Sequence, residues 1–296
     1  MIKLVNLDLD GTLLTDTSEV TDYTKGVLKK AVDKEVNIVL ATGRPKGFTL
    51  SIANENNISK YIIFGNGSAV YDVKNDKNIY ESFLKLEKLK EIIELCEQNS
   101  IFYYVHTDQL VITKNIKYNL LYYYKTNQNK PYEKRTKIRI VSDILEYIKR
   151  ENIKDVSKVT ICESSEKIFL NILEKIKKIE NVDLTFTDSI STKKIIEKQR
   201  EYNIDYKYLE ISNTGSNKWD AIKALAKKLG ISEKEIMSIG DNQNDYEMIK
   251  KSGIGVAMKN SMDNVLGIAD YITDDNNNNG VAKAIEKFVL DIKWGE

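Results

Sequence analysis

Leu4-Val5-Asn6-Leu7-Asp8-Leu9-Asp10-Gly11-Thr12 decides how the chain is read. From Lys3 to Leu9 the run has the character of a buried strand, and it stops at a Gly11-Thr12 turn. Side chains alternate along a strand, so Asp8 and Asp10 project to one side and Leu9 to the other. Two carboxylates placed together at the C-terminal end of a parallel strand repel unless a cation or a shared proton intervenes. Gly11 allows a tight turn that exposes backbone amides to an anion. Taken alone, an Asp-x-Asp pair is better read as a solvated turn or a simple metal clamp.

Working outward, Val27, Leu28, Ala31 and Val32 fall on one face of a helix within Asp22 to Asp33. Val36-Asn37-Ile38-Val39-Leu40 follows as a short β-branched run, the signature of a strand covered on both faces. Strand, helix and strand in succession make a βαβ unit and so a parallel sheet. A further strand, Tyr61 to Phe64, ends at Gly65-Asn66-Gly67. After about Tyr80 the rhythm changes. A helix over Glu87 to Gln98 precedes two strand-like runs, Ile101 to His106 and Leu110 to Thr113, spaced as a hairpin. Ser157 to Cys162, a helix over Ile168 to Ile179, Val182 to Thr187 and Tyr206 to Ile211 continue a second α+β module. The βαβ rhythm resumes at Asn217, where Ile222, Leu225, Ala226 and Leu229 form a helical stripe ended by Gly230. Strands over Ile236 to Ile239 and Ile254 to Ala257 follow. The fold class is therefore α/β, a Rossmann-like doubly wound parallel sheet made from residues 1–82 and 209–296, with an α+β domain inserted at 83–208.

Composition agrees with such a protein. The 296 residues carry 45 Lys+Arg against 44 Asp+Glu, with 42% hydrophobic and 30% charged residues. Disorder is excluded as the main state. A chain of 34.0 kDa exposes roughly 13,000 Å² when folded, about a quarter of its extended surface. A net charge of +1 argues against nucleic acid as a partner. No apolar stretch approaches a membrane span, and the N-terminal run lacks a signal-peptide layout. Cys96 and Cys162 form no CxxC pair. A cytoplasmic protein acting without membrane or nucleic acid is expected, with its oligomeric state open.

Three more segments converge on the same sheet edge. Ala41-Thr42-Gly43-Arg44 ends the second strand with a hydroxyl and free amides able to hold phosphate oxygens. Lys218 begins the Ile222–Leu229 helix, where a cation is unfavourable unless an anion sits there too. Gly240-Asp241-Asn242-Gln243-Asn244-Asp245 places another carboxylate where open α/β sheets bind ligands. In this order, these segments resemble the four motifs of the haloacid dehalogenase superfamily. Asn66-Gly67, Gly280-Val281-Ala282 and the insertion after about residue 82 look like its Cof-like sugar-phosphatase branch, with a cap domain that selects substrate.

The resemblance implies a Mg²⁺-dependent phosphatase acting on small phosphorylated metabolites such as sugar phosphates or phosphorylated cofactors. Asp8 would be the nucleophile, forming an aspartyl-phosphate. Asp10 would act as general acid and then general base. Mg²⁺ would be held by Asp8, Asp241 and the backbone carbonyl of Asp10. The amides of Leu9 and Gly43, with Thr42, Lys218 and Asn244, would gather the phosphoryl oxygens. Asp245 would buttress Lys218 or its own loop. A carboxylate at Asp10, where the cation-pumping members place Thr, favours turnover by water or phosphoryl transfer within a mutase. A phosphomutase or phosphotransferase is the alternative enzyme, and a silent phosphometabolite sensor the non-catalytic one. Trp219 departs from a common Gly and is a candidate to reshape the site rim.

Other signals have plainer explanations. Asp275 to Gly280, followed by Glu286, satisfies an EF-hand loop formally, but a strand rather than a helix precedes it. The Asn276–Asn279 tract fits a skewed composition. Tyr122-Tyr123-Tyr124 could stack on substrate but reads better as packing. His106 and both cysteines read as structural.

Overall fold

A computed structural model describes residues 1–130, 135–186, 190–197 and 200–292. The chain forms two compact units, one made of Met1–Glu81 with Gly215–Glu296 and the other of Ser82–Thr214. In the first unit the chain begins with β1 (Leu4–Leu7), α1 (Asp22–Asp33), β2 (Asn37–Ala41), α2 (Lys46–Asn56), β3 (Tyr61–Phe64), β4 (Ala69–Asp72) and β5 (Lys77–Glu81). The second unit follows with α3 (Leu86–Gln98), β6 (Phe102–His106), β7 (Val111–Thr113), α4 (Tyr118–Thr126), β8 (Ile138–Ile140), α5 (Ile144–Arg150), β9 (Lys158–Glu163), α6 (Glu166–Ile176), β10 (Val182–Phe186), β11 (Ser191–Glu197) and β12 (Arg200–Asn213). The first unit is completed by α7 (Lys218–Leu229), β13 (Ile236–Gly240), α8 (Tyr246–Lys251), β14 (Ile254–Ala257), α9 (Asp263–Leu266), β15 (Tyr271–Ile272) and α10 (Gly280–Phe288).

The first unit is built on one sheet in the order β15-β14-β13-β1-β2-β3-β4-β5. The strands from β15 to β3 run parallel, and β1 lies between β13 and β2, with Leu7 opposite Ile239 and Leu40. All four residues of β1 are buried, as a strand covered on both faces requires. The sheet is not wholly parallel. β4 returns antiparallel on β3, and β5 on β4. On one face Leu4, Val39, Ala41, Ile63 and Val70 pack with Ile222 and Leu225 of α7 and with Met248 and Ile249 of α8. Trp219 lies in this core at 3% exposure, so it is a packing residue and does not form a site rim. The Thr21 side chain caps α1 by accepting from the Thr24 amide, and Asn217 caps α7 from the Asp220 amide.

In the second unit the sheet runs β10-β12-β9-β6-β7-β8, with β11 paired to β12. β6 and β7 form the expected hairpin. The 14-residue β12 is continuous across residues 208 and 209, where the sequence suggested a domain boundary, and the unit closes at Thr214. Leu89, Ile92, Val105, Ile161, Phe169 and Leu209 share its main core. The α4 tyrosines mostly pack: Tyr118 and Tyr123 lie against Phe102, Tyr104, Leu120 and Tyr206, while Tyr124 is exposed. His106 shares a hydrogen bond with Thr160 Oγ1 at 3.0 Å. Burial and the Lys158 ammonium keep its imidazole well below the usual pKa, hence neutral. Burial pushes both cysteine thiols up, consistent with inert packing. Among the described residues, no helix is long and apolar enough to cross a membrane.

Candidate active site

Asp8 follows the last residue of β1, and its amide continues the ladder by donating to Ile239 O at 3.1 Å. The chain then curls back on itself. Leu13 N donates to Asp8 O at 3.2 Å and Leu14 N to Leu9 O at 2.9 Å. Gly11 has φ +78°, and a Cβ there would stand 2.6 Å from Asp241 Oδ2, so only glycine fits between the turn and that carboxylate. Thr12, buried beside it, donates its hydroxyl to Asp241 Oδ1 at 2.8 Å. Asp241 itself follows β13, and Thr42 follows β2. The ends of three adjacent parallel strands thus carry the site, as the topology of open α/β sheets favours.

Lys218 enters from the first turn of α7 with its side chain fully buried. Its ammonium donates to Asp8 Oδ1 at 2.5 Å and to Asp245 Oδ1 at 2.6 Å. The other oxygen of Asp245 accepts from the amides of Asp241 and Asn242, each at 3.0 Å. Asp245 therefore buttresses both Lys218 and its own loop. One oxygen each from Asp8, Asp241 and Asp245 lies within 4.8 Å of the others. With all three carboxylates ionised, the single ammonium would leave two negative charges in a largely buried place. Burial pushes Asp8 up to about 8, with Asp245 and Asp241 adding to the rise and Lys218 opposing it. Asp241 is pushed up to about 6, mainly by burial, with Thr12 opposing and Asp245 adding. Burial opposes charge on Lys218, but Asp245 and Asp8 together hold it above the ordinary lysine pKa.

This donor set suits a hard divalent cation. Asp245 has both oxygens committed, whereas Asp8 and Asp241 each keep Oδ2 without a hydrogen-bond partner among the described residues. Carboxylate oxygens and a net charge of two fit Mg²⁺ better than a soft metal.

Asp10 is placed differently. Its exposed carboxylate is gripped from both sides by Arg44, whose Nε donates at 2.6 Å and whose second nitrogen bonds the other oxygen. The guanidinium stacks 3.8 Å over Phe48. The Asp10 side chain thus stands outside the acidic cluster that contains Asp8 and Asp241. β1 ends at Leu7, so strand alternation does not carry through Asp10: Asp8 and Leu9 are both buried, and the two carboxylates are not paired on one side as the sequence suggested. Thr42 is buried, and its hydroxyl accepts from the Arg44 amide at 3.2 Å. Asn244 joins this loop indirectly: its Nδ2 donates to Asn66 Oδ1 at 3.0 Å, while the Asn66 amide donates to Thr42 O at 2.9 Å. Gly43 lies close under Asn66: a Cβ there would stand 2.6 Å from Asn66 Oδ1 and would push that side chain aside. Thr12, Arg44 and Asn66 are thus site residues to which the sequence assigned no task. The signals for Asn66 are its place between two glycines and the Asn66-Gly67 pair that resembles the Cof-like branch.

Comparisons with known proteins place the chain in a family. A sequence model of the haloacid dehalogenase-like hydrolases matches residues 5–285. The chain is 30% identical over 293 residues to the 5-amino-6-(5-phospho-D-ribitylamino)uracil phosphatase YcsE of Bacillus subtilis, covering 98% of this chain and 96% of that one. It is 28% identical to the B. subtilis phosphatase YwpJ, over 95% and 98% of the two chains. The crystal structure of a haloacid dehalogenase-like hydrolase from Bacteroides thetaiotaomicron superposes with a TM-score of 0.72 at 26% identity, covering 97% of this chain and 99% of that one.

Proposed function

Because the chain belongs to the Cof-like branch of the haloacid dehalogenase-like hydrolases and is a phosphatase, we propose that it is Mg²⁺-dependent, cytoplasmic, and hydrolyses small phosphomonoesters through an aspartyl-phosphate on Asp8. The observation that carries this reading is the buried Asp8–Lys218–Asp245 array, with a free oxygen on Asp8 and on Asp241 at one sheet edge.

Asp8 Oδ2 attacks phosphorus in line, and the bond from phosphorus to the leaving oxygen breaks. Asp10 gives its proton to the departing alkoxide, then takes one from the water that hydrolyses the acyl phosphate and restores Asp8. Arg44 must loosen its grip for Asp10 to carry that proton. Lys218, Thr42, Asn244 and the Leu9 and Gly43 amides bind the phosphoryl oxygens. Asp8, Asp241 and the Asp10 carbonyl would hold Mg²⁺, which would supply charge neutralisation for attack on the phosphate. The inserted unit, Ser82–Thr214, is assigned to leaving-group selection as a cap. The name of the B. subtilis relative YcsE describes a phosphorylated ribityl compound as its substrate, which supports a panel of sugar and sugar-alcohol phosphates and phosphorylated cofactor precursors here.

Release of inorganic phosphate from that panel tests the reading, with Mg²⁺ or with EDTA, for wild type and Asp8→Asn. Turnover that needs the cation and disappears in Asp8→Asn is expected. Asp10→Asn should lose roughly 10²- to 10⁴-fold in kcat. Phosphate release by Asp8→Asn at the wild-type rate would refute the assignment of the nucleophile. Accumulated phospho-enzyme that transfers to a sugar phosphate instead of water would make the protein a mutase.

A further inference from the structure

The Asn276–Asn279 tract looks compositional in sequence, yet each of its side chains has a partner in the fold. Asn276 Nδ2 donates to Leu14 O at 2.9 Å and to Asp16 Oδ1 at 3.1 Å. Asn277 and Asp16 exchange two bonds, Asn277 Nδ2 to Asp16 Oδ2 at 3.0 Å and Asp16 N to Asn277 Oδ1 at 3.1 Å. Asn278 bonds Asp275, and Asn279 Oδ1 accepts from the hydroxyl of Thr21, which caps α1, at 2.6 Å. Asn260 completes the set. Its Nδ2 donates to Gly11 O at 2.8 Å, and its Oδ1 accepts from the Asn276 amide at 3.3 Å.

We propose that Asn260 and Asn276 are positioning residues that clamp the Asp10–Leu14 turn and through it set the site's affinity for its divalent cation. The turn folds back on the residues just after β1, the Leu13 and Leu14 amides donating to Asp8 O and Leu9 O. Its carbonyls Gly11 O and Leu14 O each accept from an asparagine side-chain amide. Only a donor can do this, so aspartate at either position would not substitute. What the turn carries makes the clamp matter. Gly11 lies against Asp241 Oδ2, and Thr12 donates to Asp241 Oδ1. A turn free to lift would release Thr12 from Asp241 and move the Asp10 carbonyl away from the other ligands. The cation part of this inference rests on the proposed function, whereas the clamp itself does not.

Asn276→Ala and Asn260→Ala test it, with Asn278→Ala as a control whose side chain bonds Asp275 instead of the turn. Amide hydrogen exchange at Leu13 and Leu14 reads the clamp directly, and calorimetric titration with Mg²⁺ reads the site. Exchange about tenfold faster and a Kd for Mg²⁺ raised about tenfold are expected for the two test variants, one lost hydrogen bond being of that size. At saturating Mg²⁺, KM for substrate should stay near the wild-type value, and the control should match wild type throughout. Asn276→Asp should be worse than Asn276→Ala, because it faces Asp16, and adding Asp16→Asn should recover the difference. Wild-type exchange and Mg²⁺ affinity in both test variants would overturn the proposal. A wild-type protein that neither binds Mg²⁺ nor releases phosphate would overturn the proposed function and the cation step, and exchange alone would then decide the clamp.

Discussion

Replacing Lys218 by Met keeps most of the stem and removes the charge that holds the acidic cluster together. The ammonium lies 2.5 Å from Asp8 and 2.6 Å from Asp245, with no exposure. Without it, carboxylate oxygens no more than 4.8 Å apart face one another unscreened. At that separation and an effective dielectric of about 20, two ionised groups repel by roughly 3.5 kcal/mol. Breaking a buried pair from one side generally costs about 3–5 kcal/mol, so both routes give the same size of loss. The cost can be avoided by binding a proton. Asp8 has a folded-state pKa of about 8 against an ordinary 3.8, so its native form holds a proton that the unfolded chain has released. A carboxylate raised in this way makes the fold more stable as pH falls through about 8, and the gain levels off near the unfolded value of about 4. Lys218→Met moves Asp8 further up. Urea unfolding in EDTA at pH 9 and at pH 6 should therefore show a deficit of about 3–5 kcal/mol at pH 9 that narrows at pH 6. A variant as stable as wild type at pH 9, or a deficit equal at both values, would refute the compensation.

Mg²⁺ should show the complementary dependence. Its binding displaces a proton from Asp8, so affinity should rise roughly tenfold per pH unit from 6 toward 8, and the increase in Tm from fixed Mg²⁺ should be larger at pH 8; equal increases would place the cation elsewhere. Asn6 sits fully buried in the middle of β1 with its Oδ1 unpartnered, its Nδ2 reaching Ser238 Oγ at 3.3 Å. Asn6→Leu should stabilise the fold by about 1 kcal/mol in denaturant titration, since an unsatisfied buried carbonyl costs about 1–3 kcal/mol. Gly67→Ala should do the opposite: at φ +103° its Cβ would lie 2.1 Å from Asn217 O, so a loss of about 2 kcal/mol or more is expected together with lower kcat as α7 and Lys218 shift.

Where the sequence was readable, a side chain reported its environment locally. β1 and β2 are covered on both faces and announce themselves as apolar runs. β12 shows the limit of that signal. Its buried half, around Tyr206, Leu209 and Ile211, reads as a strand, while the exposed Arg200 to Asn203 stretch carries no pattern. The hairpin of β4 and β5 is hard to read in sequence for a related reason. A polar turn, Val73 to Asp76, separates two short strands, and the outer one lies at the sheet edge with no fully buried residue.

The site divides along the same line. A lysine at a helix N-terminus is out of place electrostatically unless an anion compensates it, and the fold supplies two, Asp8 and Asp245. That anomaly lay within a few residues of sequence and could be seen. The contacts of Asn276 with Leu14 and of Asn260 with Gly11 span 262 and 249 positions, and asparagine in a chain rich in it carries no local mark. Charge in the wrong place is legible because burying it is costly everywhere. An amide that caps a distant carbonyl is not, because the same side chain is at ease in solvent, and only the folded topology shows which asparagines have work to do.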